Sequence, residues 1–152
     1  MLDLRPARLD DPDALLLIDE VQRYYVGLYG GEDHDPIDAD EFIAPHGRFL
    51  LGSADGEPVA MGGWSFLHGS PADAKVRRMY VRPQAQRRGF AGALLEALEQ
   101  DARAAGAERT VLATGLPQAD AIAFYRSRGY TDIPPFGFYA DEVGGVFLAK
   151  PL

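Results

Sequence analysis

The sequence predicts an α+β fold of sandwich-like layers, a mixed sheet with helices on both faces. Three observations predict it. Strand-like segments crowd the first half after one early helix, a strand–helix–strand series runs from about 75 to 114, and a short helix and a strand close the chain. Runs of strands interrupted by amphipathic helices bury both faces of one sheet. A length of 152 residues fits one hydrophobic core, so a single domain over 1–152 is expected.

Each element has a local reason. Leu2–Arg5 is a short candidate strand. Asp10-Asp11-Pro12-Asp13 opens a helix, because acids favour its positive end and proline suits its first turn. Leu15, Leu16, Ile18 and Val21 supply that helix with an apolar face. Gly30–Asp40, rich in Gly, Asp and Pro, reads as a loop. Phe49–Ser53 and Pro58–Leu67 read as strands joined by a turn at Asp55-Gly56. Lys75–Val81 is the next strand. From about Gly89 to Ala105, Phe90, Leu94, Leu95, Leu98 and Ala102 recur at helical spacing, and Gly106 stands where a left-handed cap belongs. Arg109–Thr114 is a strand, Gln118–Arg128 a helix with Gly129 as its cap, and Val146–Lys150 a final strand.

Composition excludes several classes of function. Hydrophobic residues at 47% and charged residues at 25% are ordinary for a globular domain. No apolar run approaches the ~18 residues that span a bilayer, and the first residues lack a signal-peptide pattern. The absence of cysteine removes disulfides, thiolate nucleophiles and cysteine metal sites; a cytoplasmic protein is expected. The net charge is −8, split unevenly: residues 1–70 hold 14 acids against 4 bases, residues 71–152 hold 9 against 11. An acidic whole argues against nucleic acid as a partner. The basic second half suits a small polyanion, and the acidic first half could draw in a cation.

The strand-to-helix turn Val81-Arg82-Pro83-Gln84-Ala85-Gln86-Arg87-Arg88-Gly89-Phe90-Ala91-Gly92 is the strongest chemical signal. The first amides of a helix lack internal acceptors and together carry roughly half a positive charge, which suits an anion. Gly89, Ala91 and Gly92 keep side-chain bulk low there, Arg87 and Arg88 add charge, and Pro83 stiffens the entry. Neither a Gly-Lys-Ser/Thr phosphate loop nor a Gly-x-Gly-x-x-Gly dinucleotide turn is present.

Gln86-Arg87-Arg88-Gly89-Phe90-Ala91 resembles the Gln/Arg-x-x-Gly-x-Gly/Ala signature of the GNAT family of N-acetyltransferases, and Arg77–Pro83 resembles the strand before it. Gln118-Ala119-Asp120-Ala121-Ile122-Ala123-Phe124-Tyr125-Arg126-Ser127-Arg128-Gly129-Tyr130 resembles that family's second motif, with Gln118 in place of its Asn. The resemblance implies a mixed, mostly antiparallel sheet in which the strand before the turn splays from its neighbour at a bulge, at the cofactor site. It implies acetyl-coenzyme A as co-substrate and no metal. Its diphosphate would sit on the turn at Gln86, Arg87, Arg88, Gly89, Ala91 and Gly92, and its pantetheine along the backbones of Met79, Tyr80 and Val81. An N–H in that stretch would polarise the thioester carbonyl. Tyr125 matches the family's general acid, and a phenol is protonated at neutral pH.

The acceptor would be a primary amine of a small molecule or peptide, attacking directly in a ternary complex, because no cysteine is present to carry an acyl group. A Lys-like amine must first lose a proton, at roughly 4–5 kcal/mol at pH 7. Asp73 and His68 are candidate bases through water; His34 and His46 are weaker ones. The acids of Gly30–Glu41, including Glu32, Asp33 and Asp35, would favour a cationic amine, and Trp64, Tyr24, Tyr25 and Tyr29 could line its pocket. The alternative is a non-catalytic acyl-coenzyme A sensor of the same fold. No membrane partner is expected, and a homodimer is compatible with the sequence.

Overall fold

The computed structural model describes residues 1–152. Its elements, in chain order, are β1 (Asp3–Pro6), α1 (Pro12–Tyr29), a 3-10 turn (Ala39–Phe42), β2 (Gly47–Ala54), β3 (Glu57–Leu67), β4 (Ser70–Val81), a second 3-10 turn (Pro83–Ala85), α2 (Phe90–Ala104), β5 (Arg109–Gly115), α3 (Ala119–Ser127), β6 (Thr131–Asp132) and β7 (Gly145–Pro151). The seven strands form one sheet in the order β1-β2-β3-β4-β5-β7-β6. Every pairing is antiparallel except β4 with β5. This is the mixed, mostly antiparallel α+β sheet with helices on both faces.

The helix ends are set where the local chemistry sets them. Asp11 caps α1 by accepting from the Asp13 amide, Pro12 occupies the first turn, and Gly30 closes the helix with φ near +81°. The loop after α1 is shaped by Asp38, whose carboxylate accepts from Asp40 while Glu41 reaches back to the Asp38 amide, a reciprocal cap on the first 3-10 turn.

The sheet divides two apolar clusters. On one face Leu94, Leu95, Leu98 and Ala102 of α2 pack with Tyr125 of α3, Tyr130, Trp64 and Leu148. On the other face Ala14, Leu17 and Val21 of α1 pack with Phe42, Phe49, Leu51 and Met61. Trp64 belongs to the α2 face, fully buried, its indole N–H donating to Asp101 at 2.6 Å. It is a core residue and lines no acceptor pocket.

Two features of β4, its early start and its bulge, matter for the site. Strand β4 starts at Ser70, five residues earlier than expected, so Asp73 lies inside it. β4 also carries a bulge: Gly63 pairs with Arg77 and Met61 with Tyr80, so Arg78 and Met79 together oppose Gly62. Arg78 takes the left-handed conformation, φ +59°. The extra residue changes which side chains share a face. Val76, Met79 and Val81 join the α2 side, whereas Lys75, Arg77 and Tyr80 meet groups of the α1 side. Arg78 joins them, close to Asp33.

Candidate active site

β4 pairs with β5 over only three positions, Asp73 with Arg109, Ala74 with Thr110 and Lys75 with Val111. Past Lys75 the two strands part, while β5 continues paired with β7 to Gly115. The edge of β4 from Val76 to Val81 therefore faces a gap with its backbone unpaired on that side. Met79, Tyr80 and Val81 lie along this edge.

The turn from Gln86 to Gly92 stands at the end of β4. The Gln86 side chain donates to the Val81 carbonyl at 3.0 Å and braces the turn against the strand. Arg87 and Gly89 adopt left-handed backbone, φ +64° and +80°, which swings the chain into α2. The first amide of α2 with an internal acceptor is that of Ala93, bonded to the Gly89 carbonyl at 3.1 Å. The amides from Arg87 to Gly92 thus remain free for an anion, next to the positive end of a 15-residue helix. Gly89 has open space where a side chain would begin, and the guanidinium of Arg128 lies directly against Gly92. Arg128 comes from the end of α3, stacks near Phe124 at 5.5 Å, and brings its guanidinium to the first turn of α2. Sequence reasoning missed it. Its only cue was a base in the tail of the second motif.

Tyr125 is buried on α3, packed edge-on against Phe124 and Tyr130 with ring centroids 5.3 and 5.6 Å away. Burial raises its phenol well above the ordinary value of 10, and the neighbouring Tyr25 phenol adds to the rise. Tyr25 belongs to α1, on the other face of the sheet. Burial likewise pushes Tyr25 up to about 12, with Asp33 adding to the shift and Arg78 opposing it. Tyr125 thus belongs to the α2 and α3 face of the sheet and Tyr25 to the α1 face, where Asp33 lies beside Arg78 of the unpaired stretch of β4.

The α1 side is closed by the acidic loop, and its charge is largely spent inside the protein. Lys75 donates to Asp35 at 2.7 Å. Arg77 donates to the carbonyls of Pro36 and Asp35 at 2.9 and 3.0 Å and to Glu41 at 3.1 Å. Gln22 of α1 holds the backbone of Asp33 through both its amide oxygen and nitrogen, at 2.8 and 3.2 Å. The Tyr139 hydroxyl donates to Asp33 at 2.7 Å and accepts from the His34 amide at 2.8 Å. Of the acids expected to favour a cationic amine, Asp35 and Glu41 are thus engaged by Lys75 and Arg77. Asp35 and Glu41 clamp the loop onto β4. Tyr29 does reach the gap: its hydroxyl accepts from Gln118 at 2.8 Å and lies against Gly115, where any side chain would collide with it. Gln118, the departure from the family's Asn, thereby ties α3 to α1. Tyr24 is about half exposed on the outside of α1.

Three of the expected bases, Asp73, His68 and His46, stand away from the gap. Asp73 is buried where β4 and β5 are still joined. Arg109 grips it at 2.7 and 3.2 Å, Ser70 donates to it at 2.7 Å, and the Arg109 guanidinium holds its carboxyl below the usual value. A carboxylate so stabilised is a poor proton acceptor. His68 lies in the β3–β4 hairpin, at the opposite end of β4 from Val81. His46 sits in the turn before β2, where its carbonyl accepts from Phe66. At the cofactor end, Glu20 of α1 receives the Arg82 guanidinium and the Tyr80 hydroxyl. Arg82 holds its carboxyl low, so Glu20 fastens α1 to β4.

No helix is long and apolar enough to cross a membrane. Comparison with known proteins agrees with the geometry. The family model described as the acetyltransferase (GNAT) family matches residues 15–130. A protein of Azospirillum brasilense described as "IAA acetyltransferase" is 37% identical over 136 residues, covering 90% of this chain and 88% of its own. An "aminoalkylphosphonate N-acetyltransferase" of Salmonella typhimurium is 29% identical over 132 residues, covering 84% of each. Among solved structures, one from Klebsiella pneumoniae, provisionally described as an acyl-CoA N-acyltransferase, superimposes with a TM-score of 0.85 at 25% identity, covering 100% of this chain and 98% of that one.

Proposed function

This chain belongs to the acetyltransferase (GNAT) family, an acetyl-coenzyme A-dependent N-acetyltransferase, and on that premise we propose how its own residues divide the work of transfer to a small-molecule primary amine. Residues 1–152 act as one domain. The amides of Arg87, Arg88, Gly89, Ala91 and Gly92 hold the diphosphate, with the side chains of Arg87, Arg88 and Arg128 around it. Gln86 braces the turn. The backbone of Met79, Tyr80 and Val81 lines the pantetheine, and an N–H from this stretch polarises the thioester carbonyl, so the reading needs no metal. The observation that carries the reading is the parting of β4 from β5 beyond Lys75, with six unpaired amides at one end and Tyr125 beside the opening.

In the reaction the acceptor nitrogen attacks the carbonyl carbon. A C–N bond forms, the C–S bond breaks and its electron pair leaves on sulfur. Tyr125 donates its hydroxyl hydrogen towards that sulfur. Because burial holds the phenol protonated, its first role is as a hydrogen-bond donor to the developing thiolate. The proton lost by the nitrogen completes the balance, leaving an amide and a free thiol. The aminoalkylphosphonate named for one relative is by its name a small amine, which supports a small-molecule acceptor.

The test is release of free thiol from acetyl-coenzyme A across a panel of small amines, with the acetylated product identified by mass. Amine-dependent release is the expected result. A folded protein that binds coenzyme A but acetylates nothing would mark it as a sensor of the same fold.

A further inference from the structure

We infer that the acceptor carries an acidic group beside its amine, and that Arg78 and Asp33 together read that pair of charges. The inference rests on the acetyltransferase reading and deepens it.

The bulge in β4 brings two arginines together at the acidic loop, and they are treated differently. Arg77 is fully engaged, by two carbonyls and by Glu41. Arg78 is just as deeply buried, with 6% of its side chain exposed, yet its Nη1 is sealed from solvent and donates no hydrogen bond. Its acidic neighbour is Asp33, whose Oδ2 lies 3.7 Å from Nη1, beyond hydrogen-bonding reach. Asp33 is itself half satisfied. The Tyr139 hydroxyl and the Asp35 amide both bond its Oδ1, at 2.7 and 3.0 Å, and Oδ2 accepts nothing. A buried guanidinium nitrogen and a carboxylate oxygen therefore face one another with neither hydrogen-bonded. Buried charged groups are ordinarily paired and bonded, so an orphaned donor of this kind calls for a partner from outside the chain.

The place fits that partner. Arg78 stands in the bulge of β4, within the stretch left unpaired beyond Lys75, and Asp33 lies beside it in the loop after α1, so the pair lies on the α1 side of the gap. The chemistry fits as well. A guanidinium fork matches a carboxylate or phosphonate, and a free carboxylate oxygen matches the N–H of an amine. A molecule with its amine and its acid group one or two carbons apart satisfies both at once. Lys75 and Arg77 cannot serve in place of Arg78, because Asp35 and Glu41 already hold them. A simple polyamine would leave Arg78 unpaired and bring a like charge beside it.

The experiment compares matched acceptors. Glycine, β-alanine and 2-aminoethylphosphonate are set against glycinamide, β-alaninamide and 2-aminoethanol, which keep the amine and lose the acid. The acid-bearing members should show kcat/KM higher by about 30-fold or more, the size of effect a buried charge-assisted bond gives. In Arg78→Gln that ratio should fall to about one through KM, and Arg78→Lys should restore part of it. Equal use of both sets by the unaltered protein, or a preference that survives Arg78→Gln, overturns the inference. If no amine is acetylated, the acetyltransferase reading fails first. The same acceptors titrated calorimetrically into the coenzyme A-saturated protein then decide the matter: tighter binding of the acid-bearing set supports it, and equal or absent heat overturns it.

Discussion

At one end of the gap between β4 and β5, the turn at Arg87–Gly92 offers an anion its backbone; at the α1 wall, around Arg78, binding is left to side chains. The turn uses amides of six consecutive residues, positioned by two left-handed backbone angles and one brace from Gln86. The wall is assembled over long separations: Arg77 meets the loop 42 residues earlier in the chain, and Tyr139 meets Asp33 across 106. A backbone site tolerates change in most of its side chains and fails where bulk or φ is altered. A side-chain site can be retuned by single substitutions but depends on every charge in it having a partner. On the proposed reading, the molecule holds its co-substrate with main chain and selects its acceptor with side chains.

The largest effect should come from the residue that stands between the two regions. Tyr125→Phe should lower kcat by about 10²–10⁴-fold, the usual worth of a positioned acid, with little change in the KM for acetyl-coenzyme A. Steady-state thiol release measures it, and unchanged turnover would remove Tyr125 from the chemistry. Gly92→Val breaks the turn alone. Its side chain would occupy the space of the Arg128 guanidinium, and the Kd for coenzyme A measured by calorimetry should rise by roughly 30–100-fold, a loss of 2–3 kcal/mol. Arg77→Gln breaks the wall by stability. Asp35 keeps Lys75 but Glu41 loses its base, so about 2 kcal/mol should be lost, visible as a melting temperature lower by roughly 4–8 °C.

The smallest effect lies at the fastening of α1 to β4. The folded carboxyl of Glu20 is held below its ordinary value of 4.5, so the folded protein binds fewer protons there than the unfolded chain. The stabilisation is complete above that ordinary value and drains away as pH falls through the lowered one. Glu20→Gln should therefore flatten the decline of stability below about pH 4.5 in denaturant titrations. An unchanged acid limb would show that the Arg82 pair contributes nothing.

The same contrast explains how much could be read in advance. The order of strands and helices was legible because periodicity and caps are local: Asp11 and Pro12 start α1, Gly30 ends it, and Gly89 and Gly106 bracket α2. The two-residue β6 is too short to show a period, and the Ser70–Asp73 start of β4 is hidden by proline and polar residues. The turn could be read from its small residues and its bases. The bulge is implied by the family resemblance alone, and no local pattern in Arg77-Arg78-Met79 says that both arginines would meet the acidic loop. The acids of Gly30–Glu41 were visible, but their partners on β4 depend on tertiary contact, which is why a clamp read as an open acidic surface. Asp73 looked available as a base for the same reason: its partner Arg109 is 36 residues away.

The central claim is that unpaired amides of the turn hold the diphosphate of coenzyme A. Calorimetric titration of the folded protein with coenzyme A and, separately, with pantetheine, which shares the thiol arm but lacks the diphosphate, tests it most directly. Tight binding of coenzyme A, with pantetheine weaker by about 100-fold or more, is the predicted result. Equal affinity for the two, or no heat with either, would contradict it.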